Sequence, residues 1–280
     1  MNPHFRAFSF VDRITTVELG ARIHGEYWIP SGVGCFGQSL VAEAVGQLAA
    51  WAAMATVDFQ RRPVAGLAGE IELLRPIQPG QRLELAADFD TVDQDAASYG
   101  GTAQVDGLPV VRLRHCVGPM MAVEDFDDPE ALRARFAVLC NGGAEPGGFG
   151  GIPDFPLERI GGETGQRAIA TLQVPANAYF FADHFPRRPV FPGTLIMKAN
   201  LELAAGLARE MPAPAIGGEW ALRGVSDVKL RAFTSPGEVL EISARLDRIS
   251  TDAATLNLET RKGMRVVGGA RVLLAPEDRT

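Results

Sequence analysis

The chain has 280 residues, of which 46% are hydrophobic, and a formal net charge of −7 at pH 7. This length suits one large domain or two smaller ones, and the negative charge argues against general affinity for nucleic acid. Three widely spaced cysteines argue against a disulfide framework or a zinc site and favour a reducing cytoplasm.

The N-terminal residues contain no basic stretch followed by a long apolar core, which predicts that there is no signal peptide. No apolar run reaches the roughly 18 residues that a membrane span needs without a charge. The best candidate, 40–57, is interrupted by Glu43. We therefore expect a cytoplasmic protein without a membrane segment.

The first long element in chain order is an apolar helix over 40–54, with one or two strands before it and three or four after it. The same order recurs at an offset of 155 residues, because Phe36-Gly-Gln-Ser-Leu-Val-Ala-Glu-Ala44 aligns with Phe191-Pro-Gly-Thr-Leu-Ile-Met-Lys-Ala199. The first helix is apolar nearly all round, which is typical of a buried helix. The pattern predicts two equivalent halves, each with a sheet around its helix.

A different kind of segment separates the halves. Asp128-Pro129-Glu130 is typical of a helix start, and we expect a short helix to about Leu139. The glycine-rich residues 141–151 then predict a flexible connection. The predicted division is a first repeat over 1–123, a linker over 124–151 and a second repeat over 152–280.

The second half carries the most informative motif, His184-Phe-Pro-Arg-Arg-Pro-Val-Phe-Pro-Gly193, which an apolar helix follows at once. The other histidines, His4, His24 and His115, have no comparable setting. Backbone N–H groups at a helix start can polarise a carbonyl, and a nearby histidine can take the adjacent proton. This combination favours enolate chemistry on a thioester.

The motif and the helix after it resemble the β-hydroxyacyl-acyl carrier protein dehydratases. Phe10-Val-Asp-Arg-Ile14 is similar to the opening segment of that family. The resemblance implies an α+β double hot-dog fold, in which two curved antiparallel sheets each wrap around a long central helix within one chain. It also implies dimers of such units, whose active site combines a histidine of one with a helix carboxylate of the other.

Each half keeps one member of that catalytic pair. The family's carboxylate position, fourteen residues after His184, is Lys198, whereas the equivalent first-half position is Glu43. The first-half position equivalent to the histidine is Ile29. We therefore predict one composite active site from His184 and Glu43, and an inactive second site whose Lys198 pairs with Glu202.

The predicted chemistry assigns a role to each residue. His184 is the base, the Gly193 N–H stabilises the enolate, and Glu43 is the acid that protonates the leaving hydroxyl. Gln47 lies one turn after Glu43 and orients either that carboxyl or the hydroxyl. Further expected contacts are Phe185 and Val190 with the substrate, and Arg187 and Arg188 with an acidic carrier or a phosphate, unless these arginines only form a solvated turn.

The predicted function is dehydration of 3-hydroxyacyl thioesters, carried by acyl carrier protein or CoA, to trans-2-enoyl thioesters, with no metal or other cofactor. The alternatives are a hot-dog acyl thioesterase and a non-catalytic acyl-carrier-binding module. Isomerisation of the enoyl product stays open, as does pairing of two chains into a larger oligomer. Acyl chain length depends on packing in three dimensions, and the sequence does not predict it.

Overall fold

The computed structural model describes residues 5–215 and 217–277. Its three α-helices are α1 (Gln38–Thr56), α2 (Pro129–Cys140) and α3 (Gly193–Glu210). The first-half strands are β1 (Arg13–Glu18), β2 (Arg22–Trp28), β3 (Arg61–Pro63), β4 (Leu67–Leu73), β5 (Arg82–Val92), β6 (Ala96–Val105) and β7 (Leu108–Ala122). The second-half strands are β8 (Leu157–Glu163), β9 (Arg167–Gln173), β10 (Trp220–Leu230), β11 (Val239–Ile249), β12 (Ala254–Lys262) and β13 (Arg265–Pro276).

All these strands join one antiparallel sheet in the order β1-β2-β5-β6-β7-β4-β10-β13-β12-β11-β9-β8, with β3 paired to β7. The order reads the same from both edges once β1, β2 and β4–β7 are matched with β8–β13. The halves meet where β4 pairs with β10, with Ile71 opposite Val225. The short β3 has no counterpart among the second-half strands of the described chain.

The two long helices pack on the sheet and on each other. Helix α1 packs against β2, β3 and β5–β7, whereas α3 packs against β9–β12. Leu40, Val41, Ala44, Val45 and Leu48 of α1 are buried, as expected for a helix without a strong polar face. No helix of the described residues is both long and apolar enough to cross a membrane.

Local turns and caps follow from the residues that form them. The β6–β7 and β12–β13 hairpins turn at Gly107 and Gly263, whose φ angles are 74° and 55°. Such positive angles suit glycine because it has no Cβ. Asp128 caps α2 by accepting a hydrogen bond from the Glu130 N–H at 3.2 Å.

The glycine-rich segment after α2, for which the sequence predicted a flexible connection, contacts the first half at two points. The Ala144 N–H donates to the Asp12 carbonyl at 2.7 Å. Phe149 is only 3% exposed and packs edge-on against Phe10 and Phe36. A single aromatic side chain thus fixes this stretch to the first half. The repeat boundaries at 123/124 and 151/152 stay a prediction.

Candidate active site

A cavity of about 280 Å³ lies between α1 and α3. Its walls also include residues of β4, β7 and β10, so both halves contribute to it. The lining contains six of the residues predicted for the site, which are Glu43, Gln47, His184, Phe185, Val190 and Gly193.

His184 follows a short 3-10 turn, Tyr179–Ala182, and its own N–H donates to the Phe180 carbonyl at 2.7 Å. Its Nδ1 lies 2.8 Å from the Val190 carbonyl oxygen. Because a carbonyl only accepts hydrogen bonds, Nδ1 carries the hydrogen, and Nε2 of the neutral ring keeps its lone pair.

Burial lowers the pKa of His184 to about 4, since a charged imidazolium is poorly solvated in this cavity. The hydrogen bond to Val190 opposes this shift, and the positive charge of Arg62 adds to it. The imidazole is therefore neutral at pH 7 and can accept a proton at Nε2.

The rest of the motif brings the start of α3 to the cavity. Helix α3 begins at Gly193, directly after Pro192. The first N–H groups of a helix have no partner within it, so the Gly193 N–H is available to a ligand. A Cβ at Gly193 would lie 2.4 Å from Cδ1 of Leu230. Any larger residue at this position would therefore require the Leu230 side chain to shift.

Glu43 lies on α1 and reaches across to the second half. Its Oε2 accepts a hydrogen bond from the Thr194 hydroxyl at 2.8 Å, and its Oε1 accepts one from Gln47 Nε2 at 3.0 Å. Burial raises the pKa of Glu43, against the opposing effects of these two hydrogen bonds and of the Arg62 charge. The protonated acid is thereby favoured.

Gln47 has no spare amide hydrogen. Its Nε2 donates to Glu43 and to the Phe8 carbonyl, the latter at 3.0 Å, while its Oε1 accepts from the Phe10 N–H at 2.8 Å. Of the two roles predicted for Gln47, orientation of Glu43 is the one that these contacts provide. They also tie the N-terminal segment to α1.

The N-terminal segment also contacts the histidine, a feature that the sequence analysis missed. The Asp183 carboxylate accepts hydrogen bonds from the Phe5 and Phe8 N–H groups at 2.6 and 2.7 Å and from the Ser9 hydroxyl at 2.9 Å. The Phe8 ring lies edge-on to His184, with centroids 5.4 Å apart. The only sequence signal was that Asp183 directly precedes His184.

Arg62 is a second residue that the sequence analysis missed. It lines the cavity from β3, its Nη1 lies 3.4 Å from Asp127 Oδ2, and its guanidinium carbon lies 4.3 Å from the centroid of the Phe185 ring. Because β3 has no counterpart among the described strands of the second half, alignment of the repeats did not reveal this arginine.

The remaining predicted residues lie outside the lining of this cavity. Arg187 donates to the Glu124 carbonyl at 3.2 Å, and Arg188 lies over the rings of Phe126 and Phe233. Both arginines are exposed.

At the positions equivalent to the catalytic pair, Ile29 is a core residue with 2% exposure, and Lys198 forms an ion pair with Glu202. Neither lines the cavity. The structure thus brings Glu43 and His184 to one cavity and leaves Ile29 and Lys198 out of it.

Residues 161–270 match a family model described as ApeI-like, ApeI dehydratase. Among curated relatives, the 3-hydroxyacyl-[acyl-carrier-protein] dehydratase FabZ of Clostridium botulinum (strain Loch Maree / Type A3) is 33% identical over 112 residues, covering 40% of this chain and 76% of the relative. FabZ of Roseiflexus sp. (strain RS-1) is 33% identical, covering 34% and 70%. The chain spans only 60–61% of the length of several other FabZ relatives, including that of Herpetosiphon aurantiacus.

Solved structures resemble the chain over nearly its whole length. A putative oleoyl thioesterase from Lactobacillus plantarum has a TM-score of 0.61 at 12% identity, covering 93% of this chain and 98% of that one. A protein of unknown function with a hot-dog fold from Alicyclobacillus acidocaldarius has a TM-score of 0.50 at 13% identity, covering 99% and 98%. At these identities the likeness shows the fold alone, which is the hot-dog fold.

Proposed function

The chain belongs to the hot-dog dehydratase family, and from this premise we propose that it dehydrates 3-hydroxyacyl thioesters to trans-2-enoyl thioesters. The proposed site is the cavity shared by His184 and Glu43. The observation that carries the proposal is that a neutral imidazole and a carboxyl whose pKa is raised line one largely apolar cavity.

In this proposal, each group performs one step of the elimination. Nε2 of His184 takes the proton from C2, and the Gly193 N–H at the start of α3 stabilises the enolate oxygen. Glu43 gives its proton to the 3-hydroxyl, which leaves as water while the C2–C3 double bond forms. The reaction leaves His184 protonated and Glu43 ionised, so a proton must return from the imidazolium to the carboxylate before the next turnover.

We further infer that the chain is a double hot dog in which each half is one unit around its own helix, α1 or α3. The mirrored strand order supports this division, as does the packing of each helix on strands of its own half. Acyl carrier protein or CoA is the proposed carrier of the acyl group. Arg187 and Arg188 are the proposed contacts for an acidic carrier, which their exposure supports.

The direct test is to incubate the protein with 3-hydroxyacyl-CoA and 3-hydroxyacyl carrier protein of several chain lengths and follow enoyl absorbance. We expect enoyl product with at least one substrate. Absence of turnover with every chain length on both carriers would overturn the proposal. Product analysis by chromatography separates a trans-2 product from an isomerised cis-3 product.

The same reactions separate the other two functions. Release of free thiol from an acyl-CoA, without enoyl product, identifies a thioesterase. Tight binding of an acyl carrier protein with neither product identifies a non-catalytic module. The histidine of the Pro-Gly motif beside the start of α3 favours dehydration over both.

A further inference from the structure

Phe8 uses both of its backbone polar groups and its ring within the candidate active site. Its N–H donates to Asp183 Oδ2 at 2.7 Å, and its carbonyl accepts from Gln47 Nε2 at 3.0 Å. Its ring lies edge-on to the His184 ring, with centroids 5.4 Å apart. The residue is 2% exposed, so these contacts are shielded from water. Phe8 therefore joins residues that adjoin both members of the proposed catalytic pair.

The N-terminal segment, residues 5–10, is held on one side by the residue that precedes His184. Asp183 accepts hydrogen bonds from the Phe5 and Phe8 N–H groups at 2.6 and 2.7 Å and from the Ser9 hydroxyl at 2.9 Å. A carboxylate offers only acceptors, which suits three donors that converge on it. Hydrogen bonds to an ionised acceptor are also roughly twice as strong as neutral ones. These contacts fix the backbone around Phe8 relative to His184.

On the other side, Gln47 holds the segment and Glu43 at once. Its Nε2 donates to the Phe8 carbonyl and to Glu43 Oε1, both at 3.0 Å. Its Oε1 accepts from the Phe10 N–H at 2.8 Å. An amide nitrogen has two hydrogens, and these contacts use both. A displacement of Phe8 would therefore turn the amide that orients the Glu43 carboxyl.

The start of α3 provides a second path between the same two side chains. The Thr194 hydroxyl donates to Glu43 Oε2 at 2.8 Å, and the Val190 carbonyl lies 2.8 Å from His184 Nδ1. Catalytic groups must be held to within about 0.5 Å, which supporting hydrogen bonds provide. The path through Phe8 adds a restraint that the α3 path alone does not supply.

Separate contacts anchor the segment at Phe5. Arg135 Nη2 donates to the Phe5 carbonyl at 3.3 Å. The centroid of the Phe5 ring lies 5.5 Å from the Arg135 guanidinium carbon and 6.1 Å from the Trp51 ring centroid. These contacts do not involve the Asp183 side chain. Its removal should therefore loosen the backbone around Phe8 while the segment stays on the protein.

We propose that the N-terminal segment positions the proposed catalytic pair, with Phe8 as the connection between Gln47, which binds Glu43, and Asp183, which precedes His184. Phe8 and Asp183 are positioning residues, because they act through the pair. The first half thereby supplies Glu43 and also one of the restraints on the histidine of the second half. The kinetic part of this inference rests on the proposed dehydration, whereas the coupling between the two side chains does not.

The first test is a double-mutant cycle in the rate of dehydration, with D183A, Q47M and both together. Misplacement of a catalytic group by about 1 Å can cost on the order of 10²-fold in rate, so D183A should lower kcat about 10–100-fold while KM stays within about threefold. In the Q47M background the path is already broken, and D183A should lower kcat by less than about threefold. Effects that multiply, as for independent residues, would overturn the proposal.

The matched control is D93A. Asp93 also accepts hydrogen bonds from two backbone N–H groups, those of Asp95 and Ala96 at 2.8 and 3.0 Å, in the exposed turn between β5 and β6. Its loss should leave kcat unchanged. If Asp183 had only a structural role, D183A would lower the Tm but keep the wild-type kcat at temperatures where it is folded, and that result would also overturn the proposal.

The second test does not need turnover. Carbon NMR of protein with labelled glutamate carboxyl groups, with E43Q to assign the signal, follows Glu43 in the same four proteins. D183A should shift the Glu43 signal, although the path between the two side chains runs through three hydrogen bonds. In the Q47M background D183A should cause no further shift. An effect of the lost Asp183 charge through space would be equal in both backgrounds, and such a result would overturn the proposal.

D183N covers the case in which D183A fails to fold. Asparagine keeps the size of aspartate but has one acceptor oxygen instead of two, so it cannot serve both the Phe5 and the Phe8 N–H as the carboxylate does. We expect a smaller shift of the Glu43 signal that again disappears in the Q47M background. An unchanged Glu43 signal in D183N would overturn the proposal. If the wild type turns over no substrate but the signal behaves as expected, the proposed function is rejected and this inference stands.

Discussion

Equivalent pairs of polar side chains on the two long helices lie in different surroundings, one in a cavity and the other at the surface. Glu43 and Gln47 lie four residues apart on α1, and the equivalent positions on α3 are Lys198 and Glu202. The first pair lines a cavity, and its Glu43 accepts a hydrogen bond from Thr194 of the other half. The second is a surface ion pair whose side chains are 30% and 48% exposed. Spacing on a helix therefore says little about chemistry until the surroundings are known.

The histidine position shows the same contrast. Ile29 is packed into the core with 2% exposure, whereas His184 is presented to the cavity by the turn before it and by its hydrogen bond to Val190. In a homodimer both sites must change together, but a fused chain is free to keep one and lose the other. If only one of the two positions is functional, substitutions at the other should leave turnover intact.

The largest expected effect is that of His184→Ala. Loss of a general base lowers rates by about 10²–10⁴-fold, so kcat for enoyl formation should fall by that factor. His24→Ala is the matched control, because His24 is exposed on β2 and should leave kcat unchanged. Activity of His184→Ala above a tenth of the wild type would show that the base is another group.

Glu43→Gln should reduce kcat about 10²-fold or more, because the amide keeps the size of the carboxyl but has no acidic proton to give. Its effect on stability should be small, since the Thr194 hydroxyl can rotate to accept a hydrogen bond from the new amide. Glu202→Gln makes the same change on α3 and should leave turnover intact. If both substitutions had equal effects, the composite site would be rejected.

Sequence patterns predicted the parts of this molecule that depend on local chemistry. A lone carboxyl in an apolar helix indicated Glu43, and the offset of 155 residues paired it with Lys198. The strand order of the sheet mirrors the predicted repeat. The assignment of catalytic roles stays a prediction, which the variants above address.

Other parts depend on contacts between distant segments and were beyond sequence reasoning. Asp183 binds the backbone of Phe5 and Phe8, more than 170 residues away in the chain. Arg62 reaches the cavity from β3, which has no equivalent among the second-half strands that the structure describes. Phe149 fixes a glycine-rich stretch whose composition alone predicted flexibility. In each case the position of one side chain depends on a contact that the composition of its own segment does not reveal.

The third prediction concerns stability at acid pH. Burial lowers the pKa of His184 to about 4 in the folded protein, from 6.5 when exposed. The unfolded chain therefore binds a proton at higher pH than the folded chain, so the stabilisation is complete above pH 6.5 and is lost as the pH falls towards 4.

Comparison with His184→Asn isolates this contribution, because asparagine can still donate to the Val190 carbonyl but does not titrate. Between pH 7.5 and 5, the free energy of unfolding of the wild type should fall by about 2 kcal/mol more than that of the variant. Urea denaturation at the two pH values measures this difference. Equal losses in both proteins would mean that the folded imidazole is not held neutral.

The smallest expected effect is at the position that lost its carboxylate. A double-mutant cycle with Lys198→Gln and Glu202→Gln should give a coupling free energy of about 0.3–0.5 kcal/mol, typical of a helix pair four residues apart in water. It should shrink as salt rises from 0.05 to 0.5 M, because the pair is partly exposed. A coupling above about 2 kcal/mol that ignores salt would require a desolvated pair. Such a pair would lie in an enclosed site. The two helix pairs would then differ only in which residues they contain, and no longer in their exposure to water.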